Sequence, residues 1–159
     1  MTIAIHPARR DQLDLILSFI RELAEYEKLL DRVDAKAADV EHVLFGPNPR
    51  VFCDIAEWDG APAGFALWFY NFSTFRGRAG IHLEDLFVRP QFRRRGIGKA
   101  LLVRLARRAV AENCARFEWS VLNWNEPSIN FYKSLGAVPV DDWTIFRLTG
   151  NALKAVAEL

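Results

Sequence analysis

The sequence predicts a mixed α/β domain, and three features carry that expectation. Two β-rich runs, Val51 to Glu57 and Ala63 to Tyr70, flank Trp58-Asp59-Gly60, and Asp-Gly between such runs is a strong hairpin signal. Leu13, Ile16, Ile20 and Leu23 recur at helical spacing. A third β-rich run, Ile81 to Val88, leads through an arginine-glycine loop into a long helix-periodic stretch, Ile97 to about Asn113. The chain has 159 residues, 51% hydrophobic and 26% charged, which excludes a disordered chain, while 9 Gly and 7 Pro exclude a collagen-like or low-complexity fibre. With no repeat, linker or composition shift, residues 1–159 are expected to form one domain, a mixed central sheet flanked by helices.

In chain order, Ile3 to Ile5 is a short edge strand ended by His6-Pro7. Asp11 is expected to cap the first helix, which runs towards Leu29 and Leu30 with Arg21, Glu22, Glu25 and Lys28 outside. Asp34 is expected to cap a second helix through Val40, Val43 and Leu44, stopped by Gly46-Pro47. A polar loop, Asn71 to Arg78, precedes the third strand, which Pro90 ends. After the long helix come a strand from Ala115 to Leu122, a short helix to Ser134 with Gly136 just past its end, two short strands, and a terminal helix from about Asn151.

Charge and composition narrow the function classes. With 21 basic against 20 acidic residues, the net charge of +1 argues against a dedicated nucleic-acid or acidic-lipid partner. The opening MTIAIHPARRDQL lacks the apolar run of a signal peptide, and no apolar stretch approaches the ~20 residues of a membrane span. A cytoplasmic protein with reduced Cys53 and Cys114 is therefore expected, which makes the sequon Asn71-Phe72-Ser73 accidental. The histidines His6, His42 and His82 lack metal-ligand spacing, so no metal is expected.

Arg93-Arg94-Arg95-Gly96-Ile97-Gly98-Lys99 is the most informative segment. It follows a strand and opens a helix, so free N–H groups, the helix dipole and added cationic side chains converge on an anion site suited to a pyrophosphate. A dinucleotide fingerprint would need glycine at Leu101; a phosphate loop of the Walker type would need glycine at Arg93 and Ser or Thr at Ala100. The segment is neither. A glycine-rich turn with solvated arginines, or a DNA-backbone contact that also uses Arg104, Arg107 and Arg108, are the other readings.

Before the loop, the alternation of Ile81-His82-Leu83-Glu84-Asp85-Leu86-Phe87-Val88 breaks at Glu84-Asp85, where a bulge would re-aim side chains. Two carboxylates there would repel a phosphate and so face a different ligand group, or else serve the fold by pairing with an arginine. Further on, Asn125 or Glu126-Pro127 starts a helix, with Pro in its favoured first turn and Tyr132 about two turns in. The Tyr132 hydroxyl could donate a proton or satisfy a core partner.

These segments, in this order and spacing, resemble the GNAT superfamily of acetyl-CoA-dependent N-acetyltransferases, and within it the diamine acetyltransferase group with its spermidine/spermine and thialysine branches. The likeness extends from Arg21-Glu22-Leu23-Ala24-Glu25-Tyr26-Glu27 to Trp143. It implies a GNAT fold bulged near Glu84-Asp85, and acetyl-CoA held along Leu86, Phe87 and Val88. It also implies cofactor contacts at Arg93, Arg94, Arg95, Gly96, Ile97, Gly98 and Lys99, and at Asn125, Glu126, Pro127 and Ser128. Tyr132 is implied as the general acid, Tyr26, Glu27 and Glu84 as the lining of the amine site, and a homodimer as the assembly. Phe72-Ser73-Thr74-Phe75 stands where polyamine-type members carry an acidic residue, so this chain is more similar to the thialysine-type branch.

The chemistry suits those roles. A primary amine with a lysine-like pKa is only about 0.04% neutral at pH 7, so a proton acceptor must assist, and Glu84 is the candidate, directly or through water. A strand N–H near Phe87 or Val88 could steady the developing oxyanion, and Tyr132 could protonate the leaving thiolate. A covalent route is poorly served, because there is no G-x-S-x-G elbow and neither cysteine has a histidine nearby in sequence. The expected function is acetyl transfer to a small aliphatic amine. The alternatives are acetylation of a peptide amine and a non-catalytic CoA-binding module.

Overall fold

The computed structural model describes residues 1–159, which divide into two compact units, 1–120 and 121–159. The first contains β1 (Ile3–Pro7), α1 (Leu13–Tyr26), α2 (Ala37–Phe45), β2 (Phe52–Trp58), β3 (Ala61–Ser73), β4 (Arg78–Val88), α3 (Ile97–Ala111) and β5 (Phe117–Trp119). The strands form a single sheet in the order β1-β2-β3-β4-β5. Neighbours pair antiparallel up to β4, whereas β5 is parallel to β4, the connection that a crossover helix such as α3 permits. The expected hairpin turn is present: Asp59 and Gly60 take φ of 48° and 82°, the left-handed pair that a tight β-turn of this hand requires.

Each sheet face carries its own packing. On one, Ile16, Phe19 and Leu23 of α1 with Val40 and Leu44 of α2 meet Cys53, Ile55, Phe65 and Phe87. The Phe19 and Phe65 rings stack there with centroids 5.3 Å apart. On the other, α3 buries Ile97, Leu101, Leu102, Leu105 and Ala109. Beneath α3 lies a polar tie: buried Asp54 accepts from Trp68 Nε1 (3.0 Å) and Arg104 Nε (2.9 Å).

Several expected boundaries move. Asp11 does not cap α1; a single 3-10 turn, Arg10–Gln12, precedes the helix, and Asp11 accepts instead from Arg9 Nε (3.2 Å). The helix stops at Tyr26 rather than near Leu30, because Lys28 adopts φ 60° and the N–H groups of Lys28 and Leu29 turn back to the carbonyls of Glu25 and Ala24. That pair of bonds is a Schellman closure, which meets the helix's last carbonyls. Lys36, not Asp34, precedes the first turn of α2. β1 continues through His6 and Pro7, and β3 extends to Ser73, so the loop before β4 shrinks to residues 74–77. β5 is three residues long because its ladder with β4 ends at Leu83↔Trp119.

In the second unit, α4 spans Glu126–Ser134 and α5 spans Gly150–Ala157. Gly136, at φ 87°, closes α4 as expected. The two short strands anticipated between these helices do not form. Val138, Val140, Trp143, Ile145 and Phe146 alternate well enough for strands, but they are exposed and no strand pairs with them.

Candidate active site

The site begins with a change of face along β4. Leu83 stands opposite Trp68 on β3, whereas Asp85 stands opposite Leu67, so Glu84 is the extra residue of a β-bulge. In an unbroken strand, Leu83, Asp85 and Phe87 would share a face. The bulge instead sends Leu83 towards α3 and brings Asp85 and Phe87 to the α1/α2 face. The bulge also ends pairing with β5, leaving the β4 edge from Glu84 to Val88 without a neighbouring strand.

Beside that edge an acidic cluster forms. Glu27 is the residue that closes α1, and burial raises its pKa. Asp85 is pushed up to about 7, first by burial and then by the charges of Glu84 and Glu27. Glu84 is the open member, its side chain 56% exposed, with Oε2 3.6 Å from His82 Nε2. Three carboxyls gathered at one point, two of them resisting ionisation, make a place that gains from a cationic ligand.

The arginine-glycine loop lies directly beyond β4. Arg94 (φ 60°) and Gly96 (φ 80°) both take the left-handed conformation, which turns the chain into α3. The first amide to close a helical turn is Ala100, bonded to the Gly96 carbonyl at 2.9 Å, so the N–H groups of Ile97, Gly98 and Lys99 open the helix without an intrahelical acceptor. A Cβ built on Gly98 meets only a methyl of Val88, at 3.8 Å, and one on Gly96 meets nothing within 4 Å. The protein leaves free the space that a phosphate group needs to approach these amides.

Two of the three arginines, although exposed, lie over aromatic rings. The Arg93 guanidinium lies 4.8 Å from the Tyr26 ring centre, and its Nε donates to the Val88 carbonyl (2.9 Å). That of Arg95 lies 4.9 Å from the ring centre of Trp58. Tyr26 and Arg93 also line a cavity of about 360 Å³, together with Glu22, Glu25, Phe87 and Pro90. A larger groove of about 840 Å³ follows α3 and β1 on the opposite sheet face, and it contains none of the acidic cluster.

Arg89 fixes α1 against the end of β4. Its guanidinium donates to both oxygens of Glu22, to the Pro62 carbonyl and to Ser18 Oγ, and lies 4.6 Å from the ring centre of Phe19. Since Tyr26 follows Glu22 by one helical turn, this clamp sets where the end of α1 meets the β4 edge.

The first unit thus brings together Tyr26, Glu27, Glu84, the strand Leu86-Phe87-Val88 and the loop Arg93 to Lys99. The remaining expected residues belong to the second unit. There, Asn125 is buried and its side chain accepts from the Ser128 N–H (3.4 Å), capping α4, with Glu126 and Pro127 in the first turn. Tyr132 lies on α4, its ring 5.5 Å from that of Phe131. Sequence reasoning raised Asp85 beside Glu84 as ligand-facing or structural but gave it no role, and it did not assign His82 to the site. The signal for Asp85 was the broken alternation itself, since a bulge puts two consecutive residues on one face.

Beyond the bulge β4 and β5 cease to pair, and the open strand edge leads directly into a glycine-rich helix start. The chain belongs to the Acetyltransferase (GNAT) family, whose model matches residues 15–137. It is an N-acetyltransferase by that membership and by its relatives. It is 36% identical over 167 residues to the thialysine N-epsilon-acetyltransferase of Sus scrofa, covering 98% of each chain. It is 44% identical over 101 residues to an L-ornithine N5-acetyltransferase of Arabidopsis thaliana, covering 64% of this chain and 44% of that one. Among solved structures, an integron cassette protein from the mobile metagenome of V. cholerae superposes with a TM-score of 0.82 at 29% identity, covering 100% and 99% of the two chains.

Proposed function

We propose that this chain transfers the acetyl group of acetyl-CoA to the primary amine of a small aliphatic substrate, thialysine-like or a short diamine. The carrying observation is the acidic cluster of Glu27, Glu84 and Asp85 beside the open edge of β4. A protonated amine is the ligand that such a cluster favours, and the names of the thialysine and ornithine relatives point to the same class.

The chain's own groups divide the work. Peptide groups of Leu86 to Val88 that face away from β3, apart from the Val88 carbonyl taken by Arg93 Nε, offer hydrogen bonds to an extended, amide-bearing ligand, as an open sheet edge does. The amides of Arg94 to Lys99, with the cationic side chains of Arg93, Arg94, Arg95 and Lys99, suit its pyrophosphate. When bound, acetyl-CoA supplies an activated thioester carbonyl. Glu84 takes the proton from the ammonium, freeing the nitrogen lone pair for attack. An N–H of Phe87 or Val88 steadies the oxygen that gains charge, and Tyr132 returns a proton to the departing sulfur. Asn125 to Ser128 are assigned to the cofactor, and Tyr26 and Glu27 to the amine. We further infer one catalytic domain over residues 1–159, acting as a cytoplasmic homodimer. The likeness to the diamine acetyltransferase group supports that assembly, and no helix is long and apolar enough to cross a membrane.

The test is release of the CoA thiol with thialysine, lysine, short diamines, spermidine and a peptide, using Tyr132→Phe as control. Turnover with thialysine or a diamine, lost in the control, is the expected result. Turnover of the peptide alone would move the substrate class. Binding of acetyl-CoA with no turnover of any amine would overturn the catalytic reading in favour of a CoA-binding module.

A further inference from the structure

The bulge on β4 does more than expose Glu84. Residues 82 and 84 share a strand face by ordinary alternation, and the bulge adds Asp85 to it, so three titratable side chains gather within four residues. His82 Nε2 lies 3.6 Å from Glu84 Oε2, ion-pair distance but longer than a hydrogen bond. The imidazole is 24% exposed and lies against the Phe69 ring, centroids 4.9 Å apart, which holds one face of it.

We propose that His82 is a positioning and proton-accepting partner of Glu84 in the amine site. The inference rests on the amine acetyltransferase reading and adds a residue to it. A lone carboxylate is a weak acceptor: taking a proton from an alkylammonium is uphill by about six powers of ten, and passing that proton to an imidazole recovers about two of them. The balance is simple. The ammonium N–H proton goes to a Glu84 oxygen, leaving the lone pair on nitrogen. Glu84 then hands the proton to neutral His82, which becomes imidazolium and later loses it to water. Apart from the ligand, no further reactant is needed, and a modest side-chain rotation closes the 3.6 Å gap.

The titratable and charged groups near His82 come from three elements. On its own strand are Glu84 and Asp85, while Glu27, from the end of α1, acts on Asp85. From β5, Glu118 stands in register with His82, but its carboxylate is already engaged by Arg116 Nε (3.1 Å) and Asn71 Nδ2 (2.7 Å). From β3 the packed neighbour is the uncharged Phe69.

Two measurements on the full chain test this. The first is the pH profile of turnover between pH 6 and 9.5 for the native sequence and His82→Gln, with thialysine or a short diamine. His82→Gln is expected to lower kcat about tenfold near neutral pH, to leave the KM for acetyl-CoA within twofold, and to recover as the free-amine fraction rises at high pH. A deficit that is equal at every pH, or none, overturns the proposal while leaving the acetyltransferase reading intact. If the native chain acetylates no amine, that reading itself fails and takes this role with it. The second measurement is an NMR titration of the His82 ring in the unliganded protein, with and without Glu84→Gln. Removing the carboxylate is expected to move the titration to lower pH, and an unmoved curve overturns the pairing.

Discussion

Arg89 forks onto Glu22, with Nε 2.9 Å from one carboxylate oxygen and a terminal nitrogen 2.8 Å from the other. The pair is only partly exposed and joins the residue after β4 to the helix that carries Tyr26. Removing one partner of such a pair leaves the other desolvated without its counter-charge. Arg89→Ala is therefore expected to cost about 2–3 kcal/mol in urea unfolding. Arg89→Lys should recover little of it, because an ammonium cannot make the fork. A loss within experimental scatter for both variants would show that the clamp does not hold α1.

Asp85 gives the fold a pH dependence of defined sign. Its folded pKa, about 7, lies above the ordinary aspartate value of 3.8, so the folded chain holds this proton more tightly than the unfolded chain. Its contribution is fully present below pH 3.8 and is lost as pH rises through about 7. The loss is of the order of 4 kcal/mol at most. Asp85→Asn lacks this proton equilibrium. Its Tm should draw ahead of the native chain's by several degrees between pH 4 and pH 8, and parallel curves across that range would refute the assignment.

The helix ends show what was legible in the sequence. α1, α3 and α4 each close through a residue at positive φ, namely Lys28, Asn113 and Gly136. Only Gly136 announced itself, because glycine adopts that conformation without cost, whereas lysine there is dictated by its surroundings. The hairpin followed from turn chemistry and most helices and strands from local pattern, whereas the order of the strands in the sheet did not. The turn of the loop Arg93 to Lys99 into α3 was equally readable, since the glycines and the helix start are contiguous in sequence. The acidic site was only half readable. Glu84 was singled out, but the placing of Asp85 and His82 depends on pairing across three strands, which no local window contains. The strands expected after α4 failed for the same reason, because alternation names a face but not a partner.

Gly98 separates stability from cofactor binding. A methyl there touches only Val88, at an ordinary 3.8 Å, and alanine favours a helix over glycine by up to about 1 kcal/mol. Gly98→Ala should thus keep or raise the Tm. If the pyrophosphate approaches this turn as proposed, the same methyl should weaken acetyl-CoA binding about tenfold or more by calorimetry. Unchanged affinity in this variant would remove Gly98 from the cofactor site.

The tie beneath α3 gives a graded comparison at one position. The Asp54 side chain is 4% exposed, and one oxygen meets Arg104 Nε while the other meets Trp68 Nε1. Asp54→Ala strands both donors under the helix and is expected to cost about 3 kcal/mol. Asp54→Asn can still accept from Trp68 but leaves Arg104 without a counter-charge, so its cost should be smaller. Arg104 retains partial access to solvent, which limits that second penalty. Because α3 opens at the glycine loop, a shift of this helix should appear as a raised KM for acetyl-CoA while the KM for the amine holds. Equal destabilisation by both variants would mean that the charge pair with Arg104, rather than the indole hydrogen bond between β2 and β3, carries the stability of this tie.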